Sequence, residues 1–306
     1  MSTIKSWLAQ SRANFLLLAV FLVAIGLAYA ALHQPETFYW PIALLILVGT
    51  ISAHISVNLF NELSDYQTKI DFQTKRTPFS GGSGMLPGGK TKPGQVRAAA
   101  IGTLLISVAI GLFFVIIAHW SILVIALIGG IAIVYYTSHL ARMLLGEFFA
   151  GLALGSLVVI GSYIAMNATP VQSVVNIVPL EVWLVAIPPG ILTFLLLLLN
   201  EFPDTEADRA GGRKHLVIKF GKKTAAKIYA AGILLTYTII LILPIAGVSS
   251  YWLYLALLPL PLALKASQIA LRYSEDHAKL LPAQGMNVMV VLATDLLIAL
   301  SVIIQL

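Results

Sequence analysis

Carboxylate and amide side chains recur at helical spacing in the segment NLFNELSDYQTKID, which follows a long apolar run. Asn58, Asn61 and Asp65 lie three or four residues apart, and the segment holds two further acids, Glu62 and Asp71. On a helix, the first three side chains would form one stripe along a single face. Carboxylates next to an apolar helix repel one another and lose hydration, so such a stripe predicts a bound cation.

A second acidic segment, NEFPDTEADRAGGRKHL, begins at Asn200. Asn200, Asp204 and Asp208 follow one another at intervals of four residues. Pro203 lies inside this stripe and predicts a kink, because proline removes one backbone hydrogen bond from a helix. Seven of the 13 acidic residues of the chain fall in the two segments. If the two stripes pack side by side, they form one pocket of carboxylates and amides.

Basic residues flank both acidic segments. They are Lys69, Lys75 and Arg76 after the first stripe, and Arg209, Arg213 and Lys214 after the second. Carboxylates that hold Mg²⁺, combined with guanidinium and ammonium groups that hold oxygens, suit a magnesium–diphosphate ligand. The alternatives are a solvated helix end for the acids and membrane topology for the bases. Arg209 is favoured as a phosphate contact because it adjoins Asp208.

The composition places these segments in a membrane protein. Of the 306 residues, 59% are hydrophobic and 10% are charged, whereas soluble domains carry about 25% charged residues. This excludes an ordinary soluble globular protein, and the absence of cysteine excludes disulfides and thiol chemistry. Runs long enough to span a bilayer predict nine transmembrane helices in a single all-α domain, 1–306, at about 13–33, 40–63, 95–118, 120–140, 144–167, 180–201, 224–244, 251–273 and 283–305.

The basic residues predict the orientation of this bundle. With the N-terminus in the cytoplasm, all 19 Lys and Arg residues fall in segments on that side. The opposite loops, 34–39, 119–120, 168–179 and 245–250, contain none. The two long loops, about 58–94 and 200–223, are then cytoplasmic. We therefore expect a multi-pass protein of the inner (cytoplasmic) membrane, with a central cavity that opens to the cytoplasmic side.

These motifs and the helix count resemble the UbiA superfamily of intramembrane prenyltransferases, which has nine transmembrane helices and acidic motifs after the second and sixth. The spacing is most similar to the branch of 1,4-dihydroxy-2-naphthoate polyprenyltransferases. The residues that carry this resemblance are Asn61-Glu62-x-x-Asp65 with Asp71, then Asn200, Asp204, Asp208, Arg209 and Gly212, and finally Leu145-Gly146-Glu147. The resemblance covers nearly the whole chain.

The resemblance implies that Mg²⁺ binds an isoprenyl diphosphate, that diphosphate departs, and that an aromatic acceptor attacks the resulting allylic cation. The implied catalytic residues are Asn61, Asp65, Asp204 and Asp208, and the implied metal ligands add Glu62 and Asp71. The implied substrate-binding residues are Asn58, Lys69, Arg76, Arg209, Arg213, Lys214, Tyr135, Tyr136, Glu147 and Asn200. Membrane lipid is a further partner, and no nucleic acid is expected. Candidate aromatic faces for the cation are Tyr135, Tyr136, Tyr163 and Phe194.

Several points remain open in the sequence. Glu62 stands where the family has Asp, and Glu201-Phe202-Pro203 replaces the usual residues before Asp204, so the acceptor is undecided. A terpene cyclase or a lipid-forming prenyltransferase would share the same ionising residues. A transporter, the third alternative, would show inverted repeats and charges near the midplane. The glycine-rich segment 76–89 could be a phosphate nest or a mobile cap. Asp295 could be structural or functional.

Overall fold

In a computed structural model, described for residues 3–74, 76–136 and 139–306, the protein is a helical bundle with no β-strand in those ranges. The helices are α1 Thr3–Gln10, α2 Leu16–His33, α3 Trp40–Gln67, α4 Ile70–Gln73, α5 Pro93–Ile117, α6 Ser121–Tyr135, α7 Gly146–Gly151, α8 Leu157–Asn167, α9 Leu180–Val185, α10 Ile187–Asn200, α11 Thr205–Ala210, α12 Leu216–Phe220, α13 Lys222–Ile245, α14 Leu260–Tyr273 and α15 His277–Ile303. Lys75, one of the predicted flanking bases, lies outside the described residues.

Eight helical segments in the described part of the chain are long and apolar enough to cross a membrane. They are Ala13–His33, Trp40–Gln67, Pro93–Ile117, Gly146–Asn167, Leu180–Asn200, Lys222–Ile245, Tyr251–Tyr273 and His277–Ile303. The predicted span at 120–140 corresponds to α6, which has 15 residues, fewer than the roughly 20 that a full crossing takes. Large apolar side chains such as Leu105 and Ile116 on α5 are exposed, as expected for helices whose solvent is lipid.

Two helices extend beyond their predicted ends. Helix α3 was predicted to end at residue 63 but continues to Gln67, and α15 begins at His277 rather than at 283. The predicted spans stop at the first polar residues. A helix can continue through polar residues once it has left the bilayer. The extension of α3 keeps its acidic stripe on one helix face.

Helix α10 lies at the centre of the bundle and carries the second acidic segment at its end. Leu195, Leu198 and Leu199 on this helix are fully buried. A π-helical turn, Leu152–Ser156, joins α7 to α8 and packs directly on α10. A Cβ at Gly155 would lie 2.6 Å from the Gly190 Cα, so the close backbone approach requires glycine there.

Candidate active site

The first acidic segment lies on the last turns of α3. Asn58, Asn61 and Asp65 line a cavity of about 240 Å³, and Asp65 is buried. After α3, Lys69 adopts a left-handed backbone conformation with φ of 65°, which turns the chain back into α4. This turn places Asp71 on the wall of the same cavity.

The second acidic segment lies far from the first in sequence but lines the same cavity. Helix α10 ends at Asn200, and α11 begins at Thr205 with Asp204 as its N-cap residue. Pro203 therefore lies in a complete break between two helices rather than in the predicted kink. Asn200, Asp204 and Asp208 nevertheless all line the cavity, because the short turn lets α11 fold back over it.

Arg213 connects the two acidic segments. Its Nη1 donates to Asp208 Oδ1 at 2.9 Å, and its Nη2 donates to Asn61 Oδ1 at 3.0 Å and to Asp65 Oδ1. The Arg213 backbone N–H also donates to the Asp208 carbonyl at 2.9 Å. One guanidinium thus lies between the carboxylates of α3 and α11.

These charges set the pKa values at this end of the cavity. Burial alone would lower the pKa of Arg213, but Asp65 and Asp208 outweigh it and raise that pKa. Burial would raise the pKa of Asp208, but Arg213 and His215 keep it below its ordinary value. Both groups are therefore charged at neutral pH.

Two other carboxylates have less compensation. Burial, together with Asp208, raises the pKa of Asp204 to about 7. Burial, together with Glu62 and Asp65, raises the pKa of Asp71 to about 7. Their charged forms are not fully neutralised by the surrounding side chains, so both carboxylates would be stabilised by an added cation.

Unpaired oxygens point into the same region. Asp71 Oδ2, Asn200 Oδ1 and Asp204 Oδ1 are buried and have no hydrogen-bond partner among the described residues. They line the cavity together with Asn61, Asp65 and Asp208, and we call these six residues the acidic wall. A set of carboxylate and amide oxygens is the donor chemistry that Mg²⁺ prefers, so the residues present fit this ion.

The glycine-rich segment 76–89 covers the acidic wall. The Gly81 backbone N–H donates to Asp204 Oδ2 at 3.0 Å, and the Ser83 backbone N–H donates to Glu62 Oε1 at 2.8 Å. Gly82 has φ of +69°, and a Cβ there would lie 2.5 Å from Asp71 Oδ1. Two of its amides therefore bind carboxylates, and the segment lies over the site as a cap.

Glu62 points away from the position predicted for a metal ligand. Its Oε1 accepts from Arg12 Nε at 2.9 Å and from Arg12 Nη2 at 2.8 Å, and its Oε2 accepts from Gln10 Nε2 at 3.0 Å. Glu62 is fully buried and is not among the cavity-lining residues. The physical reason is its place on α3, because consecutive helical residues point in different directions and Asn61 already faces the cavity.

The remaining predicted residues lie at the cavity, at the surface or, for Glu147, fully buried outside the cavity lining. Tyr136 lines the cavity, whereas the exposed residues are Lys69, Arg76, Tyr135, Arg209 and Lys214. Arg209 is 57% exposed, and its Nη1 lies 4.0 Å from Glu206 Oε2. Because Asp208 faces inward, its neighbour on α11 faces outward, so the structure does not bring the Arg209 guanidinium to the cavity.

Three cavity residues were not assigned a site role from the sequence. Arg12, Glu201 and His215 all line the cavity. Arg12 lies far from both motifs and has a left-handed φ of 53°, a conformation that spacing does not reveal. His215 shows no metal-ligand spacing, and Glu201 was noted only as a departure from the motif.

Many of the other residues that line the cavity are apolar. Leu18, Val57, Ile133, Phe149 and Leu197 line it. Of the predicted aromatic candidates, Tyr136 is a lining residue. Tyr163 is not one of the lining residues, and its hydroxyl lies 3.2 Å from His33 Nδ1. The cavity therefore combines acidic, basic and apolar side chains in one lining.

The fold and this cavity define a helical, multi-pass membrane protein with an acidic site inside the bundle. The chain belongs to the UbiA prenyltransferase family, whose family model matches residues 16–289. It is therefore an enzyme, a prenyltransferase, and the predicted family is confirmed.

Individual relatives agree with this assignment. The 1,4-dihydroxy-2-naphthoate octaprenyltransferase of Bacillus subtilis (strain 168) is 31% identical over 238 residues, which cover 75% of this chain and 72% of the relative. A solved apo structure of a UbiA homolog from Aeropyrum pernix K1 matches with a TM-score of 0.70 at 17% identity, over 93% of this chain and 97% of that one. A UbiA homolog from Archaeoglobus fulgidus bound to DMAPP and Mg²⁺ matches with a TM-score of 0.59 at 15% identity, over 96% of this chain and 99% of that one. The two structural matches show the shared fold.

Proposed function

We propose that the protein transfers a polyprenyl group from an isoprenyl diphosphate to an aromatic acceptor, a quinone precursor such as 1,4-dihydroxy-2-naphthoate, with Mg²⁺ as cofactor. The observation that carries this proposal is that the two acidic segments, bridged by Arg213, line one cavity together with many apolar side chains. The activity named for the Bacillus subtilis relative supports the acceptor. The DMAPP and Mg²⁺ bound to the Archaeoglobus fulgidus homolog support the donor and the ion.

The acidic wall would bind the diphosphate through the ion. Asn61, Asp65, Asp204 and Asp208 would hold Mg²⁺, and the unpaired oxygen of Asp71 is a further donor. When bound, Mg²⁺ neutralises the diphosphate oxygens and makes diphosphate a better leaving group. The cap segment 76–89, which contacts Asp204 through the Gly81 N–H, would shield the acidic residues from water when substrate is bound.

The other cavity residues would serve the transfer itself. Arg12 and Arg213 line the cavity and offer N–H groups to diphosphate oxygens. The bond between the allylic carbon and the diphosphate oxygen breaks, and its electron pair leaves with diphosphate. A ring carbon of the acceptor supplies the pair for the new carbon–carbon bond, and the ring then loses a proton. Apolar residues such as Ile133 and Phe149 keep out water that would quench the cation.

We also propose how the chain crosses the membrane. The chain forms one domain with nine spans, namely the eight long helical segments and α6. Because α6 is short, the bilayer around it thins locally. The N-terminus lies in the cytoplasm, and the cavity opens to that side of the inner membrane. The one-sided distribution of Lys and Arg supports this orientation.

The test is transfer from labelled geranyl diphosphate to dihydroxynaphthoate in membranes that contain the protein. Product should form with Mg²⁺ and not with EDTA. Asp65→Asn and Asp204→Asn should each lower the rate by at least about 100-fold, since each removes a negatively charged ligand of the Mg²⁺ that would stabilise the departing diphosphate. Glu206→Gln is the matched control, because Glu206 is an exposed acid in the same loop as Asp204. Full turnover by either Asn variant would refute the proposed metal site.

A further inference from the structure

A second polar group lies beside the proposed metal site. It consists of Glu147 at the start of α7, Glu201 after α10 and His215 before α12, and one ligand atom from each lies within 4.8 Å of the others. All three residues are buried, with exposures of 0%, 8% and 2%. Glu201 and His215 line the cavity, so this group faces the space where the substrates of the proposed reaction would meet.

The two carboxyl groups present unused acceptor atoms. Glu147 Oε2 and Glu201 Oε2 have no hydrogen-bond partner among the described residues. The other oxygen of Glu147, Oε1, accepts from the Leu216 backbone N–H at 2.7 Å, which fixes the side chain in place. Burial, together with Glu147, raises the pKa of Glu201 well above its ordinary value, so Glu201 shares a proton with Glu147. An oxygen of the pair that this proton does not reach still lacks a donor, which is costly for a buried group and favours a ligand that supplies one.

The imidazole of His215 does not supply the missing donor. Its Nδ1 accepts from the Ile218 backbone N–H at 3.4 Å, and its Nε2 lies 3.3 Å from Asp208 Oδ2. This arrangement assigns the ring proton to Nε2, facing Asp208. Nδ1, which lies 3.5 Å from Glu201 Oε2, therefore has no proton to offer Glu201, and Glu201 Oε2 receives no hydrogen bond from the ring.

We infer that Glu201, with Glu147 and His215 behind it, binds a ring hydroxyl of the aromatic acceptor. The inference rests on the proposed function and adds to it the chemical group that the site recognises. A hydroxyl donates the hydrogen bond that the cluster lacks, and a bond from O–H to a carboxylate is among the stronger neutral-to-charged bonds. It also increases the electron density of the ring, which makes the attacking carbon a better nucleophile. Tyr136, whose ring lies against Gly146, belongs to the same cavity wall.

The test compares two forms of one acceptor on full-length protein in lipid nanodiscs. The probes are dihydroxynaphthoate and its O-methyl ether, which cannot donate the hydrogen bond. Geranyl diphosphate is the prenyl donor, and Mg²⁺ is present. Wild-type protein should prefer the free hydroxyl by about 10- to 100-fold in kcat/KM, the range for a hydrogen bond to a charged group. Glu201→Gln and Glu147→Gln should each lower this preference about three- to tenfold, since a neutral amide binds the hydroxyl about half as strongly as a carboxylate.

Two controls separate this inference from the proposed function. Glu206→Gln should leave the preference unchanged, and both Gln variants should bind geranyl diphosphate with Mg²⁺ as wild type does. Undiminished preference in both Gln variants, with that binding intact, would overturn this inference alone. Stoichiometric bound metal that wild-type protein retains in EDTA and Glu147→Gln loses would also overturn it, because the cluster would then be a metal site. Failure of wild-type protein to bind geranyl diphosphate with Mg²⁺ would instead overturn the proposed function.

Discussion

Arg213 lies where the proposed magnesium site needs a positive charge, so its removal is an informative perturbation. The guanidinium bonds to Asp65 and Asp208 and to the Asn61 amide oxygen. The side chains of the two acids are 6% and 2% exposed, and that of Arg213 is 15% exposed. Arg213→Gln would leave two buried carboxylates facing each other without a cation.

The size of the effect follows from this geometry. A charge pair about 4 Å apart at an effective dielectric constant of about 20 is worth about 4 kcal/mol. Removal of one partner of a buried pair costs about 3–5 kcal/mol in the free energy of unfolding. We take about 3 kcal/mol, which at about 2–4 °C per kcal/mol corresponds to a melting temperature lower by about 6–12 °C.

Magnesium should reverse part of this loss. In wild-type protein the guanidinium occupies the oxygens proposed to hold the ion, whereas in Arg213→Gln those oxygens are available. Mg²⁺ should therefore raise the melting temperature of the variant more than that of wild type. The assay is thermal unfolding in nanodiscs, with EDTA and with Mg²⁺.

Arg209→Gln is the matched control. Arg209 is 57% exposed and pairs with Glu206 only at 4.0 Å, so its loss should change stability by less than about 1 kcal/mol. An unchanged melting temperature of Arg213→Gln in EDTA would contradict the buried charge pairs. Equal stabilisation of variant and wild type by Mg²⁺ would show that the ion binds elsewhere than at the carboxylates that Arg213 bridges.

Two further predictions concern the other acids. Glu62→Gln removes the charged partner of Arg12 and weakens the bonds to Ser83, so proteolysis of the cap segment should accelerate while Mg²⁺ affinity stays the same. An Mg²⁺ affinity weaker by about tenfold or more, the size expected when a ligand or a group that orients a ligand is lost, would show that Glu62 acts on the metal site. Because the pKa values of Asp71 and Asp204 are raised to about 7, protons compete with Mg²⁺ below that pH. The Mg²⁺ concentration for half-maximal activity should rise as the pH falls from about 8 to about 6, and a requirement that does not change with pH would contradict this linkage.

The sequence was sufficient for the class of fold and for the partnership of the two motifs. Low charge and long apolar runs leave helices as the solution in lipid, since each backbone group must be paired within its own segment. Periodic spacing then places Asn58, Asn61 and Asp65 on one face, because the geometry of a helix does not depend on what surrounds it. The same local rules identified Asp204 and Asp208 as a second set.

What spacing leaves undecided is where each face points, because that depends on packing between distant segments. The tertiary structure turns Glu62 toward Arg12, directs Arg209 to the surface and brings Arg213 between Asp65 and Asp208. It also assembles Glu147, Glu201 and His215 from separate segments. Pro203 marked a helix disruption in the sequence, but whether the chain would kink or break depended on how α11 packs over the cavity.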